Sequence, residues 1–392
     1  MSTVLEIPRP LFDEAVQTRR DLHAHPELGF AEHRTAGVVA ARLRHLGIDV
    51  HEGIAKTGVI GVLHGTRPGR TIMLRADMDA LPMPEESDHD YRSTVDGVAH
   101  ACGHDGHVAI LLGAAALVAD RRDDLAGTIV FCFQPAEEGG GGASLMVQEG
   151  VLERFSVERA YGLHLTSLLP VGMTAFRAGP LLASADTLDL TVHGRGGHAS
   201  LPHTSVDPIL AASSVVVALQ QVVSRQVDPV EPAVVSICSL HAGTTYNVIP
   251  SDATLKGTVR TFNEELRSQM PEKIRRVIAG ACDSAGATFD LSYTPGFPVT
   301  ANDADQTAYV RALAASTLGD ARVMTSPPVM GSEDFSYFAQ RVPACFYFLG
   351  AMSDARTAYP NHHGKFDIDE RALETGIRLT AALALDAPLS AP

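Results

Sequence analysis

Apolar positions along this chain switch repeatedly between helical spacing and short continuous runs. Glu32 to Leu46 carries the helical period and stops at Gly47, a residue suited to the position after a helix C-terminus. Val59–Leu63 and Thr71–Leu74 predict short strands, the second running straight into Arg75-Ala76-Asp77-Met78-Asp79. Val108–Ala119 predicts a buried helix of small and aliphatic residues. Thr128–Phe133 predicts a strand that stops at Gln134-Pro135, and a short helix is expected around Ser144–Gln148. Ala160–Leu163 predicts another strand, ending at His164. Apolar strands alternating with helices predict a mainly parallel or mixed α/β sheet. Such sheets bind ligands beyond the carboxyl ends of their strands. Asp77, Asp79, Glu137, Glu138 and His164 all follow predicted strand ends.

The pattern changes in the middle of the chain. It reads as strand (Thr187–His193), helix (Val206–Gln226), strand (Val234–Leu240), strand (Ala253–Thr261), helix (Glu264–Ala285) and strand (Ala287–Tyr293). That β-α-β-β-α-β order is ferredoxin-like. Gly179-Pro180 and Pro295-Gly296 flank it as linkers. The expectation is an inserted domain at 183–294 within a main domain made of 1–182 and 295–392. The main domain resumes with a helix (Asp305–Leu318), a turn at Gly331–Phe335, a strand (Ala344–Leu349) and a last helix (Asp369–Leu385).

Composition narrows the function classes. A length of 392 residues favours two domains, and 45% hydrophobic with 20% charged residues is ordinary for a soluble protein. A net charge of -15 argues against nucleic acid as a partner. The apolar stretch Val108–Ala119 is too short to span a bilayer, so no membrane partner is expected. Met1–Pro8 shows no basic segment followed by an apolar one, the mark of a secretory signal. Five scattered cysteines (102, 132, 238, 282 and 345) fit a reducing cytosol, so a cytoplasmic location is expected.

The chemistry concentrates in Val98–His107, where Cys102 stands among three histidines and Asp105. In an extended backbone Cys102 and His104 would leave the same side, and Gly103 and Gly106 permit a tight bend. No second Cys/His pair follows at short spacing, so further ligands must come from distant segments, as in a catalytic site. Asp77, Asp79, Cys102, His104, Glu138, His164 and His362 are the candidates. A thiolate, imidazole and carboxylate set suits two adjacent divalent ions of the zinc, manganese, cobalt or nickel kind. Adjacent glutamates in a regular strand face opposite ways, but Pro135 and the glycines at 139–142 allow Glu137 and Glu138 to converge. One would then be a ligand and the other a general base. His198, in the loop Gly194–His203, is placed to donate to a developing oxyanion. Asn247 and Arg260 carry weaker signals; the Arg260 guanidinium suits a substrate carboxylate.

Taken in order, these motifs resemble the amidohydrolase branch of the aminoacylase/carboxypeptidase metallopeptidase family. That branch includes hippurate hydrolases and enzymes that split indole-3-acetic acid–amino acid conjugates. The resemblance runs from Asp21-Leu22-His23-Ala24-His25-Pro26-Glu27 through Leu74–Pro82, the Cys102 segment, Gln134–Gly142 and Gly162-Leu163-His164. It continues through Gly197–Ser200, Asn247–Pro250, Gly331–Phe335 and Asn361-His362-His363. It implies a mixed-sheet, zinc-peptidase-like catalytic domain with an inserted lid or dimerisation domain, in a homodimer or homotetramer. It implies two divalent metal ions held by Cys102, His104, Glu138, His164 and His362, with Glu137 as general acid/base. It also implies that His198 reaches an active site, in several relatives that of a partner subunit, and that Asn247 and Arg260 hold the substrate carboxylate. The implied reaction cleaves the amide bond of an N-acyl amino acid to a carboxylic acid and a free amino acid. The wider family has His-x-Asp at Asp77-Met78-Asp79 and Asp at Cys102, a departure that marks this branch and leaves Asp77 either ligand or support. His363 adjoins His362; motif position favours His362. The alternatives are a dipeptidase or carboxypeptidase on the same fold, a Cys102 thiol amidase with His104 or His107 as base, or a non-catalytic binding protein.

Overall fold

The computed structural model describes residues 5–389, so the first four residues of the segment read for a secretory signal lie outside it. The chain forms two compact units: one holds the chain up to Gly179 with Ala301–Pro327 and Asp334 onward, the other Pro180–Thr300 with Pro328–Glu333.

The first unit is built on an eight-stranded mixed sheet. Its strands are β1 (Asp49–Ile54), β2 (Gly58–His64), β3 (Arg67–Asp77), β4 (Ala126–Gln134), β5 (Arg159–Pro170), β6 (Thr174–Phe176), β7 (Val323–Thr325) and β8 (Ala344–Met352), in the order β1-β2-β4-β3-β5-β8-β6-β7. The central run β4-β3-β5-β8 is parallel. Its longer helices are α1 (Arg9–Ala24), α2 (His33–His45), α3 (His104–Ala119), α4 (Gly142–Gln148), α5 (Ala304–Leu318) and α6 (Arg371–Asp386). Every residue of α3 from His104 to Val118 is buried, which is why its sequence is apolar all round. Two elements carry little apolar patterning: α1 is rich in charge, and β1 is an edge strand with a single buried position.

Register places the chemistry. Asp77, the last residue of β3, pairs with Gln134, the last residue of β4. His164 lies inside β5 opposite Phe348, because that strand continues to Pro170 instead of stopping after Leu163. The helix expected from Val108 starts one turn earlier, at His104, with Gly103 in a left-handed conformation (φ 93°) before it. Cys102 and His104 therefore converge through a turn into a helix and not through extended backbone. Only a residue without a Cβ adopts that bend at low cost.

In the second unit, strands Ala185–His193, Ala233–Ala242, Asp252–Thr261 and Thr288–Phe297 form an antiparallel sheet. Ala233–Ala242 and Thr288–Phe297 are its edges, and the sequence order is βαββαβ. Helices Pro208–Gln226 and Glu264–Ser284 start at Asp207 and Asn263, whose side chains accept from backbone N–H groups of the first turn. Helix Pro208–Gln226 is long and apolar enough to cross a bilayer by length and composition alone, which the sequence reading did not anticipate. Its Ala211, Ala212, Val215, Leu219 and Val222 belong to the same core as Leu188, Leu190, Val192 and Leu255 of the sheet. Pro328–Glu333 joins this unit, where Val329 and Gly331 carbonyls accept from Ala183 N–H.

Candidate metal centre

Cys102 sits at the point where three segments meet. Its Sγ lies 3.4 Å from His164 Nε2. Ligand atoms of Cys102, His104 and His164 fall within 4.8 Å of one another, as do those of Cys102, Glu138 and His362. Two triads thus share one thiol. Glu137 and Glu138 form a third such group with His104, so the Pro135–Gly142 turn does bring both carboxylates to one place. The turn depends on close backbone approach: a Cβ on Gly142 would lie 1.7 Å from the Pro135 carbonyl oxygen.

Hydrogen bonds fix which ring nitrogen of each histidine is available. His104 Nδ1 lies 2.8 Å from the Asp79 carbonyl and His164 Nδ1 2.7 Å from the Leu165 carbonyl. A carbonyl only accepts, so both Nδ1 atoms donate, and in the neutral rings both Nε2 atoms keep a lone pair. His104 Nε2 is buried without a hydrogen-bond partner, and so is Glu138 Oε1. Buried polar atoms are almost always paired, so two orphans in one pocket are a seat for something else. The donor set of thiolate, imidazole and carboxylate fits borderline divalent cations.

His107 is different. Its Nδ1 donates to Asp77 Oδ1 (2.6 Å), and its Nε2 accepts from Leu165 N–H (2.8 Å). Both nitrogens are committed, which leaves it no part as a base. The Asp77 oxygens are engaged too, Oδ2 by Arg75 at 2.6 Å. Arg75, fully buried, also reaches Gln134 and Asp334, and Asp334 accepts from Ala143 N–H at the start of α4. These bonds engage both Asp77 oxygens, as in a supporting residue, while a ligand atom of Asp77 also lies within 4.8 Å of those of His104 and His107. Asp79 has a second supporting part: its two carboxylate oxygens accept from the backbone N–H groups of Glu137 (3.0 Å) and Glu138 (2.9 Å). Glu32 Oε1 holds the preceding Ala136 N–H at 2.8 Å. Nothing in the local sequence around Glu32, Asp79 or Asp334 marks these roles, because each partner is remote along the chain.

His362 closes the site. It adopts φ 69°, a left-handed conformation rare outside glycine. Its N–H donates to the Ala101 carbonyl, and the Asn361 amide donates to the carbonyls of Cys102 and Leu165. His362 Nε2 lies 3.1 Å from Glu138 Oε1. His363 turns away to stack on Tyr359 and accept from Lys365 N–H, so of the two histidines only His362 faces the pocket.

The electrostatics favour positive charge here. Burial opposes a charge on His104, but Asp77 and Cys102 outweigh it and raise the imidazole well above its usual value. Its close neighbours Cys102 and Glu138 push His362 up to about 10. Burial would raise Glu138, yet His362 and His104 hold it below the usual range. Burial, then His107, keeps His164 well below, so it stays neutral. Burial pushes the Cys102 thiol up, unlike an activated nucleophile.

His198, Asn247 and Arg260 belong to the second unit. Gly197–His198 pairs with Val248–Ile249, and Ala199 N–H donates to the Asn247 carbonyl, so His198 and Asn247 are neighbours. Ser200 N–H donates to His198 Nδ1 (3.1 Å), which leaves the proton of a neutral ring on Nε2 as a donor. Arg260 lies on strand Asp252–Thr261, half-buried and bonded to Thr258 Oγ1.

Comparison with known proteins gives the family. Residues 73–386 match the model of Peptidase family M20/M25/M40. Over 95% of this chain and 95% of the relative, the chain is 42% identical to Thermostable carboxypeptidase 2 of Saccharolobus solfataricus. It is 41% identical to IAA-amino acid hydrolase ILR1-like 4 of Arabidopsis thaliana, covering 95% of this chain and 85% of that one. A Bacillus subtilis structure described as a dinuclear metal binding peptidase from the M20 family superposes with a TM-score of 0.85 at 36% identity, over 97% of this chain and 99% of that one. With relatives at this identity over nearly its full length, the chain belongs to Peptidase family M20/M25/M40 and is a hydrolase of its amidohydrolase and carboxypeptidase kind.

Proposed function

We propose that this protein cleaves the amide bond of small N-acyl amino acids, releasing a carboxylic acid and a free amino acid. In this reading Cys102, His104, Glu138, His164 and His362 hold two divalent cations of the zinc, manganese, cobalt or nickel kind. Bound ions of this class polarise a carbonyl oxygen and make water a better nucleophile near neutral pH. Glu137 takes the proton of the attacking water and returns it to the leaving nitrogen, as a general base and then a general acid. Its backbone is held by Asp79 and its carboxylate stands beside His104 and Glu138. That pair of facts carries the proposal: a carboxylate beside the ligands, gripped through its own amide. His198, with Nε2–H available, is the donor proposed for the oxyanion, and Asn247 and Arg260 the groups that hold the substrate carboxylate. Glu137→Gln should keep its bound metal and lose roughly 10²-fold or more in kcat. Near-full activity in that variant would remove Glu137 from the role.

The similarity to Thermostable carboxypeptidase 2 favours one second reading, release of a C-terminal amino acid from peptides. Parallel assays on N-acetyl amino acids and N-blocked dipeptides separate the two. The elevated Cys102 pKa and the fully bonded His107 count against a thiol amidase. All five cysteines are free, which supports a cytoplasmic setting. Exposed Leu210 and Val217 and the edge strand Ala233–Ala242 support association of two or four copies through the second unit.

A further inference from the structure

A second group of imidazoles lies in the first unit, apart from the Cys102 ligand set. We infer that His23, Glu85 and His89 form a separate divalent cation site, which staples the long connection after β3 to helix α1. Their ligand atoms lie within 4.8 Å of one another. Glu85 Oε1 stands 3.2 Å from His23 Nε2 and 3.1 Å from His89 Nε2. Ligands about 2.0–2.1 Å from a tetrahedral zinc ion are separated by roughly 3.3–3.4 Å, so these spacings are close to the edges of a coordination tetrahedron.

Three further observations point to an ion and not only to hydrogen bonds. First, His89 Nε2 lies at ion-pair distance from Glu85 yet makes no hydrogen bond, and neither does its Nδ1, although the side chain is 8% exposed. Glu138 and His362 in the Cys102 centre repeat this arrangement, with 3.1 Å between two donor atoms and Oε1 unbonded. A cation between the two atoms would satisfy both. Second, His23 Nδ1 lies 2.8 Å from Asp105 Oδ2. A carboxylate on the far nitrogen is the usual support of a metal-ligating histidine, and Nε2 then meets Glu85 Oε1 at hydrogen-bond distance, so a proton or a cation must stand between those two atoms. Third, His100 is 2% exposed with neither ring nitrogen bonded, and its ring centre lies 6.3 Å from that of His23, a further donor at hand.

Charge and local structure agree. Among the described residues Asp105, Asp367, Glu370 and Glu85 meet two guanidiniums, Arg19 and Arg20, and the imidazoles of His23 and His89, so a dication held by neutral imidazoles would balance the four carboxylates. Glu85 also accepts from Ser87 Oγ and from Ser93 N–H (2.6 Å), which orients it. Between Asp77 and His104 the chain forms no helix or strand, only isolated bridges at Ala80, Leu81 and Ala99. Irregular connections of that length inside a compact unit need anchoring. Two imidazoles and one carboxylate suit zinc, cobalt or nickel.

The test uses the full chain loaded with zinc, its metal counted by elemental analysis and placed by anomalous X-ray scattering. A peak is expected between His23 Nε2, Glu85 Oε1 and His89 Nε2. His89→Phe, which keeps the stack on Tyr91, and Glu85→Gln should each lose that peak and one ion per chain while retaining the ions at Cys102. Chelator treatment of a Cys102→Ser variant should increase proteolytic cutting within residues 82–98, and zinc should reverse it. No peak in the native protein, or equal ion counts in native protein and both variants, would overturn the site and identify His23 as a protonated bridge between Asp105 and Glu85. Neither result bears on the Cys102 centre, which the thiolate-to-cobalt charge-transfer band of the cobalt form reports separately.

Discussion

Asp79→Asn perturbs how Glu137 is held, and also a 3.3 Å contact with His104 Nδ1, which is why bound metal is measured alongside. The wild-type carboxylate accepts two consecutive backbone N–H groups, at 3.0 and 2.9 Å, in a buried position. Hydrogen bonds to a charged acceptor contribute about 1.5–3 kcal/mol each. The amide of Asn offers one oxygen, so one bond survives as a neutral one and the other N–H meets an NH₂ group. A buried donor left unpaired costs about 1–3 kcal/mol. The Glu137–Glu138 turn should thus lose roughly 2–4 kcal/mol of restraint. If about half of that appears as misplacement of the general base, kcat falls by about 5-fold to 30-fold, since 1.36 kcal/mol is tenfold in rate. KM should change little, because Asp79 is not among the groups proposed to hold the substrate. The assay is initial-rate release of free amine from an N-acyl amino acid at saturating metal, with bound metal measured on the same samples. A folded, metal-loaded variant with kcat within twofold of wild type would refute the reasoning.

Two further outcomes are expected. Arg260→Ala should raise KM for substrates with a free carboxylate and leave the amidated analogue nearly unaffected; equal losses on both would remove Arg260 from carboxylate binding. Asp367 is held below the usual carboxylate range: burial opposes ionisation, but Arg19 at 2.7 Å outweighs it. A depressed folded-state pKa gives stability that is present above the unfolded value, near 3.9, and is lost as pH falls through the folded one. Urea midpoints should therefore hold from pH 7 to about 5 and drop below about 4, with a shallower acid limb in Asp367→Asn; parallel limbs in both proteins would contradict this assignment.

Much of the fold was legible because its buried strands and helices carry strong periodicity. β2 to β5 and the βαββαβ order of the second unit follow directly from apolar runs and turn residues. α1 and β1 did not, since charge in the one and exposure in the other blur the pattern. The helix start at His104 was hidden because its first turn contains glycine, histidine and aspartate, residues that read as loop. At the site, the density of Cys102, His104 and the two glutamates pointed to metal chemistry without any contact information. The division of labour among the acids did not appear. Asp77, Asp79, Glu137 and Glu138 are alike as carboxylates, and only their partners separate support from ligand. His107 reads as an alternative base for Cys102 by proximity in sequence, yet its two nitrogens are already bonded.

The measurement closest to the central claim is anomalous scattering from crystals of the protein loaded with manganese or zinc. The account predicts two peaks, both within coordination distance of Cys102, one beside His104 and His164 and the other beside Glu138 and His362. Crystals that diffract well and show no anomalous density around Cys102, from protein that retains hydrolytic activity after exhaustive chelation, would contradict it.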